Sequence, residues 1–237
     1  MAVRAITFDF WRTLFSDPRE PVERRQIRID AVCKVTGAAP NEVHRALLTS
    51  ETEFLQHHIR EQCTLGPIHA VAIVSRELGV PIADNAAQDL AEIFGAAILH
   101  YPPVAIADGL EAVRAASKRF PIGIISDAGI SPGKSLRVIL ERNGYAPHFK
   151  HMAFSDEVGV AKPQALMFDT AARALGVERN ELLHIGDLEG TDIRGAKAVG
   201  ASAALFVGDH DRYRSNNSAD YIIENWNHFL ELLPTIE

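Results

Sequence analysis

Apolar and polar positions follow two rhythms along this chain, and their order divides it into three stretches. The first is short: an apolar run from Val3 to Phe8 closes on Asp9 and is followed by the irregular Phe10-Trp11-Arg12-Thr13. A run of that length, bounded by polar residues, predicts a buried strand. From Val22 to about Leu99 the apolar residues recur at three and four, as in Val43, Leu47 and Leu48 or Ile68, Val71 and Ala72. This spacing predicts helices over 22–36, 40–62, 67–78 and 84–99, with Asn41 and Asp84 as N-caps. Gly109 to Lys118 then reads as a helix, Phe120 to Asp127 as a strand, Pro132 to Asn143 as a helix and His151 to Phe154 as a short strand. Next come a helix over 163–175 closed by Gly176, a strand over 182–187, a helix over 192–199 closed by Gly200, and strands over 202–207 and 221–223.

Strands alternating with helices predict a parallel sheet with right-handed crossovers. Proline-containing crossings at Ser16 to Pro21 and His100 to Pro103 bracket the helix-only stretch, which reads as a small bundle. The expected architecture is α/β. A Rossmann-like, doubly wound core spans residues 1–16 and 101–237, and a helical-bundle cap spanning 17–100 is inserted into it.

Composition narrows the function classes. Among 237 residues, 47% are hydrophobic and 23% charged, the balance of a globular chain with an ordinary core. The formal net charge of -7, with no dense basic tract, argues against nucleic acid as a partner. Arg24, Arg25 and Arg28 form the tightest basic cluster, and with Glu20 and Glu23 beside them they read as a solvated helix face. Cys33 and Cys63 lie far apart without a CxxC, so neither a disulfide framework nor a zinc site is indicated. No stretch reads as an export signal or a membrane-spanning helix. The expectation is a cytoplasmic monomer or homodimer.

Asp9 by itself reads most simply as a turn or cap residue. It has company, however: the ends of three strands carry Asp9, Ser126-Asp127 and Gly186-Asp187, and a loop carries Lys162 before Pro163. In open α/β sheets the crevice outside the carboxyl ends of the strands is where ligands bind. These residues supply carboxylates for a hard cation, a hydroxyl with backbone N–H groups, and an ammonium, which together suit a phosphoryl group.

In that order the motifs resemble the haloacid dehalogenase superfamily of hydrolases, in the branch with a helical cap after the first motif. The matching pieces are Asp9 to Thr13 as DxxxT, Ser126, Lys162, and Gly186-Asp187 with Asp192 as GDxxxxD. The resemblance implies Asp9 as nucleophile, with Ser126 and the N–H of Asp127 holding phosphoryl oxygens and Lys162 fixing nucleophile and phosphate. It also implies a magnesium ion between Asp9, the backbone carbonyl of Trp11 and Asp187, supported by Asp192, and a small phosphorylated metabolite as substrate. One position departs from the family's phosphatases: they carry a second Asp where this chain has Trp11. An indole N–H cannot exchange a proton near neutral pH, and losing an acid/base typically removes about 10²–10⁴ in rate. An aromatic residue also occupies this position in family members that cleave carbon–halogen bonds, although those generally dispense with the metal. Dehalogenation and a weakly catalytic binding or regulatory role are therefore the alternatives.

Other residues have plainer readings. His44, His57, His58 and His69 are expected at the surface of the cap, and His184 is expected to be buried against a neighbour. Trp11 is expected to pack between core and cap. Arg12 stands where the family usually has Gly, and either reaches an anionic substrate or points to solvent. Asp156 and Glu157 either tune Lys162 or close a turn, and Asp209-His210-Asp211 reads as a polar loop.

Overall fold

The computed structural model describes residues 2–17 and 22–236. Residues 18–21 of the proline-containing linker, including Glu20, lie outside the described residues. The chain forms two compact units: residues 1–17, 103–127 and 140–237 in one, residues 18–102 and 128–139 in the other.

The larger unit is built on six strands: β1 (Ala5–Phe8), β4 (Ile122–Ser126), β5 (His151–Phe154), β6 (Leu182–Gly186), β7 (Ser202–Phe206) and β8 (Tyr221–Ile223). They are ordered β5-β4-β1-β6-β7-β8 and every neighbouring pair is parallel. Central parallel strands are covered on both faces, which is why β1, β4 and β6 read as unbroken apolar runs and are buried throughout. A separate antiparallel pair, β2 (Phe15–Ser16) with β3 (Val104–Ala105), lies at the two crossings.

Among the connecting helices, α5 (Gly109–Ser117) precedes β4, and α6 (Gly133–Arg142), which follows it, has its residues 133–139 in the smaller unit and re-enters the larger one at Leu140. A short α7 (Ser155–Val158) and the longer α8 (Ala165–Leu175) follow β5. Met167, Phe168, Ala171 and Leu175 of α8 bury one face in the apolar layer that also takes Ile125, Leu182 and Leu205.

Two features of this unit differ from the sequence reading. No helix begins at Asp192: residues Glu189–Ile193 form a π-helical turn, and α9 (Arg194–Ala198) starts only after it. The side chain of Asp192 accepts a hydrogen bond from Leu188 N at 3.0 Å, holding that turn open. The second is α10 (Trp226–Leu232), which the sequence reading passed over and which Asn225 caps by accepting from His228 N at 2.9 Å. Its Trp226 is fully buried, stacks on Phe206, meets Phe8 at 5.8 Å between ring centroids, and donates from Nε1 to Thr13 O at 3.1 Å. The last helix thereby clamps the turn that follows Asp9.

The smaller unit contains α1 (Val22–Thr36), α2 (Pro40–Glu61), α3 (Pro67–Leu78) and α4 (Asp84–His100) around Ile29, Val32, Val43, Leu47, Val71, Val74, Leu90 and Phe94. Residues 128–139 belong with it. Asn41 and Asp84 do not cap their helices. Ala39 and Ala83 hold those positions, because α2 already begins at Pro40, which makes Asn41 helical, and Asp84 is helical too. Nor do Arg24 and Arg28 form a solvated face, since both are buried beside the packed stripe of α1. Arg24 Nε donates to Tyr101 O at 2.6 Å, giving a partner to the carbonyl of the C-cap residue of α4. Arg25 alone of the three faces outward, paired with Glu51 at 3.0 Å. Among the described residues no helix is long and apolar enough to cross a membrane.

Candidate active site

The first strand delivers Asp9 to the carboxyl edge of the sheet, where Asp9 N donates to Ile185 O at 2.8 Å. The neighbouring strand β6 ends at Gly186 and hands on Asp187. A Cβ at Gly186 would fall 2.3 Å from Asp192 Cγ, so glycine there is what lets the π-helical turn bring Asp192 against the strand end. Lys162 arrives from the loop before a cis Pro163 and is itself buried.

These four side chains meet. Lys162 Nζ donates to Asp9 Oδ1 at 2.7 Å, to Asp192 Oδ1 at 2.6 Å and to Ile125 O at 3.3 Å, which uses all three of its donors. Asp192 also accepts from His184 Nε2 at 3.0 Å, while His184 Nδ1 contacts Thr7 Oγ1 at 3.0 Å, so both nitrogens of this fully buried ring have partners. Oxygens of Asp9, Asp187 and Asp192 all lie within 4.8 Å of one another.

Burial pushes the Asp9 carboxyl up to about 8, against the pull of Lys162. Asp192 goes the other way: burial opposes its ionisation, but Lys162 and His184 hold it below the usual carboxylate range. The ammonium is shared between two carboxylates, and the one with more donors keeps the charge. Burial lowers the Lys162 ammonium, but Asp192 and Asp9 outweigh it and hold the group above its ordinary value. Burial likewise lowers His184 and raises Asp187, the latter opposed by His210.

Asp9, Trp11, Arg12, Asp127, Lys162, Asp187 and Asp192 line one cavity of about 340 Å³, together with Leu188, Thr191, His210 and Arg212. Ser126 is not in that lining; it is fully buried, and its Oγ accepts from Phe10 N at 3.4 Å. Asp127 Oδ1 instead accepts from Lys162 N at 2.9 Å, tying the second strand end to the lysine loop. Trp11 packs edge-on against Phe10 at 4.9 Å between centroids and donates from Nε1 to Asp127 O at 3.2 Å. Arg12 has a φ of 53°, the left-handed conformation that explains a usual glycine at this position.

The loop over 209–211 is not a plain polar loop. His210 Nε2 bonds Asp187 Oδ2 at 2.7 Å, and Asp209 pairs with Arg12 at 3.8 Å and with Ser16 Oγ. Buried Glu189 anchors the far side of the same loop, accepting from Ser218 Oγ at 2.9 Å and Ser218 N at 3.1 Å. No local pattern marks these partners, because 23 residues separate His210 from Asp187 and 29 separate Ser218 from Glu189.

The donor set fits a small hard cation. Magnesium takes oxygen ligands, retains several waters and needs only one or two carboxylates from protein. Asp192 is already committed to Lys162, His184 and Leu188 N, which leaves Asp9 and Asp187 as the carboxylates to hold such an ion.

The chain is similar to several known proteins. The pyrimidine 5'-nucleotidase YjjG of Escherichia coli (strain K12) is 36% identical over 43% of this chain and 43% of its own length. A glyceraldehyde 3-phosphate phosphatase of Methanopyrus kandleri is 26% identical over 84% of this chain and 81% of its own length. For the other curated relatives matched, the aligned stretch spans half of their length or less. In three dimensions, a 2-haloacid dehalogenase from Pseudomonas syringae pv. Tomato DC3000 superposes with a TM-score of 0.72 at 20% identity, covering 98% of this chain and 99% of that one. That similarity speaks for the fold. A family profile matches residues 3–200, a stretch that holds all four motifs, and the chain therefore belongs to the haloacid dehalogenase-like hydrolase family.

Proposed function

We propose that this protein is a magnesium-dependent phosphohydrolase acting on a small phosphorylated metabolite through an aspartyl-phosphate on Asp9. The observation that carries the reading is the buried Lys162 ammonium bridging Asp9 and Asp192, in a cavity that Asp187 also lines. The helical unit is read as the family's cap domain, now including residues 128–139 besides the inserted stretch. The names of two relatives, a pyrimidine 5'-nucleotidase and a glyceraldehyde 3-phosphate phosphatase, favour phosphate over halide as the group transferred.

In this reading an Asp9 carboxylate oxygen attacks phosphorus, the bond from phosphorus to the leaving oxygen breaks, and water later cleaves the acyl-phosphate. Lys162 orients Asp9 and offsets charge on the transferring group; the N–H of Asp127 and, after reorientation of its hydroxyl, Ser126 steady the phosphoryl oxygens. A magnesium ion held by Asp9, Asp187 and the Trp11 carbonyl would supply charge neutralisation on the phosphoryl oxygens and keep Asp9 ionised. Asp192 serves as the residue that fixes Lys162. Trp11 gives no acid or base, and its N–H is already engaged with Asp127 O, so leaving groups that depart without a proton are the better substrates.

Release of phosphate from an aryl phosphate with and without magnesium tests the reading. Turnover should need the metal, vanish in Asp9→Asn, and rise in Trp11→Asp. Equal inactivity of wild type and Asp9→Asn across a broad phosphate panel would sink it. Trp11 is the observation that favours a second reading, carbon–halogen cleavage, which requires chloride release from a 2-haloacid without added metal.

A further inference from the structure

Arg12 occupies a backbone conformation that suits glycine, and a residue with a Cβ is less stable there by about 1–2 kcal/mol. The turn leaves no freedom to avoid it, since Arg12 N donates to Phe15 O at 2.7 Å while Leu14 N and Phe15 N both donate to Phe10 O. An outlier of this kind beside a nucleophile calls for a use of the side chain. That side chain lines the cavity and is 39% exposed, with Asp209 as its nearest carboxylate at 3.8 Å. Charge-assisted hydrogen bonds are about 2.7–2.9 Å long, so the guanidinium has its donors unspent.

A second guanidinium lies on the same cavity. Arg212, exposed on the loop that also carries His210, lines it, with its guanidinium 6.0 Å from the centre of the Tyr213 ring. Among the described residues neither Arg12 nor Arg212 makes a side-chain hydrogen bond. Lys162, by contrast, spends all three donors on Asp9, Asp192 and Ile125 O. The deep cation of the cavity is committed to protein carboxylates, whereas Arg12, in a loose ion pair with Asp209, and Arg212 keep their hydrogen-bond donors free among the described residues, and their planar forks match carboxylate and phosphate oxygens.

We propose that Arg12 and Arg212 form a subsite for a second anionic group, so that the preferred ligands are phosphomonoesters carrying a further carboxylate or phosphate a few bonds from the reacting phosphorus. This rests on the phosphoryl reading of the Asp9 cavity. A cavity of about 340 Å³ takes a compact molecule of that kind.

Calorimetric titration of the full chain, with magnesium in excess, compares phosphonoacetate with isobutylphosphonate, a near-isostere that carries two methyls in place of the carboxylate oxygens. Wild type should bind phosphonoacetate about tenfold more tightly or better, the range of one charge-assisted hydrogen bond. In Arg12→Gly, which relieves the backbone penalty, and in Arg212→Ala, the ratio of the two affinities should fall toward one. Equal affinities in wild type, binding of neither phosphonate, or variants that weaken both ligands alike and preserve the ratio would overturn the subsite; the last outcome would assign the arginines to the transferring group. Phosphate release from the aryl phosphate reports separately on hydrolysis. Turnover with no preference removes the subsite alone, and preference without turnover removes the hydrolytic reading alone.

Discussion

Replacing Lys162 by Met keeps the aliphatic stem and removes the ammonium from a place where water does not reach. The side chain is 3% exposed, against 5% for Asp9 and 1% for Asp192. Two carboxylate hydrogen bonds, at 2.7 and 2.6 Å, and one to Ile125 O would be lost together. Hydrogen bonds to charged groups contribute about 1.5–3 kcal/mol each, so two of them give about 3–6 kcal/mol. The independent figure for breaking a buried ion pair by removing one partner is about 3–5 kcal/mol. Urea denaturation at pH 8 without metal should therefore show a loss of about 3–5 kcal/mol. At pH 5.5 the loss should shrink, because Asp9, already pushed up to about 8 by burial, takes a proton and needs no cation. Asp9→Asn should relieve part of the defect at pH 8, so that the double variant is more stable than the sum of the two single changes implies. A loss below about 1 kcal/mol at pH 8, or one independent of pH, would refute the idea that this ammonium neutralises both carboxylates.

The metal-free wild type should itself lose stability as pH rises between about 6.5 and 8. Asp9 holds its proton in the folded state up to about 8 but releases it near 3.8 when unfolded, so the native state binds the extra proton in that window. Buried His184 gives an opposite slope only below its ordinary value of 6.5, and urea midpoints in Asp9→Asn should flatten the fall above it. Magnesium should raise the midpoint more at pH 8 than at pH 5.5 if Asp9 helps to hold it. His210→Ala should weaken magnesium binding by about 10–100-fold in calorimetry, with His210→Asn restoring part of it, because the imidazole holds Asp187 Oδ2 at 2.7 Å; unchanged affinity would leave His210 without a positioning role. Gly186→Ala should cost about 2 kcal/mol or more in thermal or urea melts, since its Cβ would overlap the Asp192 carboxylate; a neutral result would mean that the π-helical turn readily yields.

The sequence determined most where local pattern and burial say the same thing. The helices over 22–36 and 67–78 have the boundaries that their three-and-four spacing predicts, and the apolar runs of β1, β4 and β6 are central parallel strands. It also carried the motifs, because Asp9, Asp187 and Lys162 are defined by their places at strand ends and in a loop, and the parallel order brings such places together. Tertiary structure decided what depends on partners distant along the chain. Arg24 and Arg28 look solvated in a charged stretch, yet the carbonyls of Tyr101, just past α4, and of Phe94 within it give them partners where they are buried. His210 looks like loop filler until the chain returns it to Asp187, and the role of Trp226, on a helix that the sequence pattern does not announce, appears only where it closes over Thr13. The π-helical turn at Glu189–Ile193 has no periodicity to announce it; it exists because a glycine without a Cβ and an aspartate bound to Leu188 N leave room for each other. A linear pattern records which residues can be buried, whereas the charge a buried group keeps is settled by the neighbours that the fold assembles around it.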